Sequence, residues 1–148
     1  MIIGPQYVLL ERLGPRVHWL PAQRRIGNWL GIADVLRHPS DYESHCFSTN
    51  EAWLAGVPVV SCDYLVNRQF EERHGPLMWL VPIRPEPARL AAAIVEAHTG
   101  RSDPRVGHAR DVATPESSAP VMGRRWSDLI GMLTRKSSPD STKLANSN

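Results

Sequence analysis

Apolar residues recur along this chain in short blocks set off by glycine and proline, and the spacing inside the blocks alternates between strand and helix periods. Residues 1 to 3 form an apolar run ended by Gly4-Pro5, which predicts the tail of a buried strand and a turn. Tyr7, Leu10 and Leu13 follow at helical spacing until Gly14-Pro15 stops them. Residues 17 to 20 read as a second strand. Residues 23 to 33 read as a helix with Ile26, Trp29, Leu30 and Ala33 on one face. A third strand spans 35 to 38 and is broken by Pro39-Ser40-Asp41. Beyond it, Ser48 and Glu51 have the Ser-x-x-Glu spacing of a capping box, Gly56 stands where a left-handed helix stop belongs, and Pro58 forbids continuation. A short helix is therefore expected between two breaks, followed by a fourth strand over 58 to 61.

The alternation repeats downstream. Residues 66 to 74 predict a helix closed by Gly75-Pro76, and 77 to 81 a fifth strand. A long helix then starts near Pro85-Glu86-Pro87 and runs to His98, with Leu90, Ile94 and Ala97 on its buried side and Gly100 as its stop. Five strands alternating with helices imply crossover connections, hence a mostly parallel sheet covered by helices on both faces, a Rossmann-like α/β fold. The polar, proline-bearing stretch 101 to 120 reads as an irregular connection. Residues 121 to 135 carry Met122, Trp126, Leu129, Ile130 and Leu133, an amphipathic final helix expected to pack back on the sheet. Residues 136 to 148 lack apolar periodicity and read as a disordered tail.

Composition narrows this picture. With 148 residues, 42% of them hydrophobic, the chain can bury one core, so residues 1 to 135 are read as one domain. No run approaches the ~20 apolar residues needed to cross a bilayer, and the start carries no charged segment leading into a long apolar stretch, which points to a cytoplasmic protein. Cys46 and Cys62 show neither zinc-ligand spacing nor enough cysteines for a disulfide framework. A net charge of +2, with only the short basic pairs Arg24-Arg25 and Arg124-Arg125, argues against nucleic acid as a partner and leaves phosphate-bearing small ligands compatible.

The chemistry concentrates in one stretch. Glu43 and Glu51 stand eight positions apart across a strand end, a loop and a helix start, the place where open α/β sheets bind ligands. Between them lie Ser44, His45, Ser48 and Thr49, all able to hydrogen-bond phosphate or sugar oxygens, although Ser and Thr before a helix also serve as caps. Glu51 can itself belong to the capping box. Cys46 abuts His45, but sequence neighbours seldom have base-nucleophile geometry, so a Cys-His nucleophile is disfavoured. Packing accounts for most of the tryptophans: Trp29, Trp53 and Trp126 lie at helical core spacing and Trp19 and Trp79 within strands. Tyr64 and Asn67 follow the fourth strand at its C-terminal end, where they can line a pocket or simply make a turn.

His38-Pro39-Ser40, Tyr42-Glu43-Ser44 and the run from Glu51-Ala52-Trp53 through Gly56-Val57-Pro58-Val59-Val60 resemble the C-terminal, donor-binding half of retaining family-4 (group 1) glycosyltransferases of the GT-B fold. The order of features from Ile2-Ile3-Gly4 to Leu90-Ala91-Ala92-Ala93-Ile94 follows the same domain. The resemblance implies a hexosyltransferase-like enzyme that transfers sugar from a nucleoside-diphosphate sugar to an acceptor with retention, with no metal and no other cofactor. Glu51 would accept hydrogen bonds from ribose hydroxyls, and Glu43 would face the sugar or its leaving phosphate as the catalytic carboxylate. Ser44, His45, Ser48 and Thr49 would complete donor binding near a helix N-terminus that attracts diphosphate. The resemblance leaves the acceptor open between sugar, lipid and protein.

The chain departs from that family at two points. His45 and Cys46 replace an aromatic and a glycine that usually let backbone approach the phosphates. The chain also opens at what looks like the domain's second strand, so the first strand and helix, with their usual Arg and Lys, and a separate N-terminal acceptor domain are expected elsewhere. Arg24-Arg25 are the nearest substitute cations in sequence. Two other readings stay open: a partner-dependent, non-catalytic nucleotide-sugar-binding module from a split or truncated glycosyltransferase, and a related sugar-nucleotide epimerase.

Overall fold

The computed structural model describes residues 2 to 3 and 15 to 136. In chain order the elements are β1 (Ile2–Ile3), β2 (Trp19–Leu20), α1 (Ile26–Leu30), β3 (Leu36–His38), α2 (Phe47–Leu54), β4 (Val59–Cys62), α3 (Leu65–His74), β5 (Trp79–Val81), α4 (Pro87–Thr99), α5 (Pro104–Glu116) and α6 (Ala119–Lys136). The helix expected around Tyr7 to Leu13 and the tail from 137 onward lie outside the described residues. Every strand pairing is parallel. β1 pairs with β2, and β3, β4 and β5 form a second sheet with β4 in the middle. The architecture is the Rossmann-like α/β expected, with its strands divided between two parallel ribbons. Among the described residues the outer edge of β3 carries no strand.

Strand alternation splits the interior into two layers, one on each face of the sheet. Val59 faces a cluster with Trp53, Leu77, Ala109 and Ala113, while its neighbour Val60 faces one with Trp79, Val81 and Ala97. All four β4 residues are buried, which is why that strand reads as an unbroken apolar run. Helices α2 and α5 cover the first face and α4 the second.

The stop of α2 follows from its sequence. Gly56 takes a φ of +70°, the left-handed conformation that disfavours a Cβ. The N–H of Gly56 donates to Trp53 O and that of Val57 to Ala52 O, both at 2.9 Å, the paired bonds of a Schellman turn, and Val57 and Ala52 share the core beneath it. Pro58 then turns the chain into β4. At the end of α4, Gly100 answers to packing instead: a Cβ there would lie 2.8 Å from the Trp79 ring.

Four expectations need correction. The stretch 101 to 120 is mostly helix α5, not an irregular connection. Pro104 occupies the first turn, where its missing N–H goes unneeded, while Pro115 lies inside the helix next to its last residue, so the helix ends just after it. Asp103 caps it by accepting from Arg105 N at 2.9 Å, and Ala109 and Ala113, four residues apart, press against the first core. The final helix forms but does not pack back on the sheet. It touches α5, through contacts that include an Arg125–Glu116 ion pair, and leaves Trp126, Ile130 and Leu133 more than half exposed. Helix α1 is shorter than the predicted 23 to 33, with Gly27 inside it and Gly31 at its end weakening the period. Finally, α2 begins at Phe47 with Cys46 as its N-cap, so Ser48 lies inside the helix and the Ser48/Glu51 capping box does not form.

Candidate functional site

Parallel strands place their C-terminal ends on one side, and the loops leaving β3 and β4 there carry nearly every residue singled out above. A cleft of about 750 Å³ runs along the open edge of β3 and reaches this side. Its apolar walls come from α1 and α4, with Ile26, Trp29 and Ile94, and its polar boundary from Arg37, His38, Ser48 and Glu51. That volume is in the range of small-molecule sites, and a mostly apolar lining with a few convergent polar groups is their usual composition.

Glu51 lies on the first two turns of α2, exposed, at the rim of this cleft. Among the described residues its carboxylate has no hydrogen-bond or ion-pair partner, since the helix starts too early for it to reach back to a cap. Ser48, one turn earlier, lines the same cleft. The start of α2, at Phe47 and Ser48, offers backbone N–H groups without intrahelical acceptors, since the first bond of the helical series is Asn50 N to Cys46 O.

Glu43 is placed differently. It is half-buried and accepts from Ser40 Oγ at 2.9 Å, with His38 Nε2 at 3.7 Å from the same oxygen. His38 borders the cleft and is only 12% exposed, so it links the two carboxylates' surroundings. The other candidates separate. Ser44 is exposed. His45 turns toward α3, 2.9 Å from Asn50 Nδ2 and edge-on to Phe47. Thr49 is buried and donates its hydroxyl to Cys46 Sγ at 3.1 Å. Asn67 is buried and braces the end of β4, donating to Ser61 Oγ and Cys62 O. Neither Arg24 nor Arg25 lines the cleft; the cation that does is Arg37, which donates to His38 O and to Cys62 Sγ at 3.3 Å. Among the described residues no carboxylate pairs with it.

Neither Arg37 nor His38 was singled out as a site residue from the sequence, although His38 opens the first motif of the resemblance. The signal available was their position at the C-terminal end of a strand that leads directly into the Glu43 loop.

Residues 1 to 99 match the family described as glycosyl transferases group 1. The chain belongs to the group 1 glycosyltransferases. No curated protein matches it. The match spans β1 to the end of α4, so this glycosyltransferase domain holds the Glu43 loop, α2 and the whole cleft within the matched part, and α5 and α6 fall outside it. No helix among the described residues is long and apolar enough to cross a membrane. No group of three or more metal-ligating side chains comes together among them either.

One titratable group in the glycosyltransferase domain is strongly perturbed. Burial pushes the Cys46 thiol up, but hydrogen bonds from the His38, Ser48 and Thr49 side chains and the Thr49 backbone together outweigh it and bring it from 9.0 down to about 7. The rate of Cys46 alkylation by iodoacetamide is therefore expected to rise through a midpoint near pH 7. A midpoint near the ordinary thiol value would show that these bonds do not hold the thiolate. Because the native thiol releases its proton more readily than the unfolded one, this group adds stability as pH rises from about 7 to 9 and loses that contribution as pH falls through the native value.

Proposed function

We propose that this domain binds a nucleoside-diphosphate sugar at the polar end of the cleft and takes part in moving the sugar to an acceptor with retention of configuration. The observation that carries the reading is Glu51, an exposed carboxylate with no partner among the described residues, at the rim of a mostly apolar cleft on the C-terminal side of a parallel sheet. A carboxylate so placed can accept from two adjacent ribose hydroxyls. The start of α2, with Ser48 and its free backbone N–H groups, favours an anionic diphosphate beside it. Glu43, oriented by Ser40 and His38, faces the sugar or its leaving phosphate, and Ser44 and His45 lie on the same loop. Stabilising the departing nucleoside diphosphate is the main electrostatic task in such a transfer. The GT-B arrangement, with a separate acceptor-binding half, and cytoplasmic action belong to the same proposal.

A second reading has specific support. The edge of β3, unpaired among the described residues, and the exposed apolar stripe of α6 suit a domain whose cleft is completed by another polypeptide. Calorimetric titration with UDP, GDP and their common sugar conjugates separates the two. Saturable binding by the isolated chain supports a working donor site; a folded chain that takes up none of them supports the partner-dependent module.

A further inference from the structure

Helix α6 keeps an apolar face in solvent. Over its 18 residues Met122, Trp126, Leu129, Ile130 and Leu133 recur at helical spacing, so the face is continuous, and each of them is 45 to 60% exposed. The helix meets the rest of the domain at α5, where Glu116 holds Arg125 at 2.9 Å. Single apolar residues on a surface are ordinary, but an unbroken stripe of them marks a surface that something covers.

The polar residues of α6 narrow what that is. Arg124, Arg125, Arg135 and Lys136 stand against one acid, Asp128, so this helix alone carries more positive charge than the chain's net +2. Among the described residues no carboxylate pairs with Arg124 or Arg135. A turn of about 100° per residue puts positions 125 and 136 at the edge of the stripe and positions 124 and 135 behind it. Two copies joined along the stripe would set two cationic helices side by side with no acid at the edges to pair with, which like-charge repulsion opposes. A protein seated on the stripe would leave Arg124 and Arg135 facing away from it. An anionic lipid surface complements both sets of cations. Its negative potential reaches about 10 Å, close to the diameter of a helix, so it acts on charges behind the stripe as well as beside it. Trp126, at the middle of the stripe, has the apolar ring and the polar N–H that suit the boundary between headgroups and acyl chains.

We infer that α6 is an interfacial helix that lays its apolar stripe on an anionic membrane surface and holds the domain there. Such a helix lies in the plane of the interface with its apolar side chains below the headgroups and its basic ones among them. It does not cross: no helix among the described residues is long and apolar enough to do so. The segment lies beyond the matched residues 1 to 99, and its ligand is a charged lipid surface, not a nucleotide, so the inference goes beyond the donor-site proposal.

The test sediments the full chain with phosphatidylcholine vesicles made with and without phosphatidylglycerol. Binding to the anionic vesicles is expected to be roughly tenfold tighter than to the neutral ones and to weaken as salt is raised. Leu129→Asp together with Leu133→Asp is expected to lower it by a further factor of roughly ten or more while the melting midpoint stays at the wild-type value, because both side chains are exposed. Arg124→Gln together with Arg135→Gln is expected to weaken binding to anionic vesicles roughly fivefold or more and to leave binding to neutral ones unchanged. A folded chain that sediments equally with both vesicles or with neither, binding that survives the aspartate pair, or a lowered midpoint in that variant overturns the inference. So does a wild-type dimer in analytical ultracentrifugation that the aspartate pair dissociates, which would assign the stripe to a second copy. No nucleotide enters the readout, so its failure and that of the donor site are separate.

Discussion

Glu51→Ala is expected to leave the domain folded and to weaken nucleoside-diphosphate-sugar binding roughly thirtyfold, the loss of about 2 kcal/mol that charge-assisted hydrogen bonds to a sugar contribute. The structure sharpens this prediction by removing the rival account of Glu51. Had it closed a capping box with Ser48, the alanine variant would lose about 1 kcal/mol of stability. Because α2 starts at Phe47 and the Glu51 carboxylate has no partner among the described residues, the thermal midpoint is expected to stay within the small range typical of surface changes. Calorimetry of the variant against UDP-sugar or GDP-sugar conjugates, with a melting curve on the same sample, checks both parts. Unchanged affinity would sink the ribose role, and a lowered midpoint would restore the cap.

Trp53→Ala carries the largest expected cost to the fold, about 3 to 5 kcal/mol. Trp53 is 3% exposed and packs edge-to-face on Phe70 with centroids 5.9 Å apart, at the meeting of α2, α3 and the alanine face of α5. A truncation there opens a cavity between rigid elements that cannot all close on it. A loss of that size is a large part of what a domain this small has in reserve, so the midpoint should fall by roughly 10 °C or more. Trp126→Ala is the matched comparison. Both tryptophans stand at helical core spacing in the sequence, yet Trp126 is 58% exposed and its replacement should move the midpoint little. Equal melting shifts for the two variants would mean that α6 is packed as tightly as α2.

The contrast between these tryptophans shows where local pattern stops being informative. Gly56, Gly75 and Gly100 announced helix ends correctly; the first two are decided locally by a positive φ, whereas the third is held by the ring of Trp79 from a distant strand. Strands β3 to β5 were legible locally too, with turn residues bounding short apolar runs. Pro104 misled because a proline is harmless in the first turn, and whether it falls there depends on where Asp103 caps; Pro115 misled because it lies inside α5 yet so near the end that the helix up to it still forms. The capping box failed through a shift of less than one turn, since Cys46 could end the preceding loop and Phe47 begin α2.

The candidate site divides in the same way. The Glu43 and Glu51 pair could be read directly, because its spacing is a property of the chain. Which of the intervening side chains share a space with Glu51 could not. Ser48 lines the cleft, Thr49 is turned inward to Cys46, and His45 leans on Phe47. Successive helix residues point about 100° apart, so neighbours in sequence face different surroundings. The histidine beside Cys46 proved to be His38, eight residues away, and not its neighbour His45.

By itself, then, the sequence determined the alternation of strands and helices, the parallel α/β class and the family to which residues 1 to 99 belong, since these rest on hydrophobic period, turn chemistry and ordered motifs along one chain. Only the tertiary structure decided that Glu51 has no partner among the described residues, that Arg37 and His38 border its cleft, that Thr49 turns inward to Cys46, and that the apolar face of α6 is left exposed by the described residues. Those depend on which surfaces meet after distant segments pack, and free energy of burial is a property of the assembled surfaces, not of any one segment's pattern.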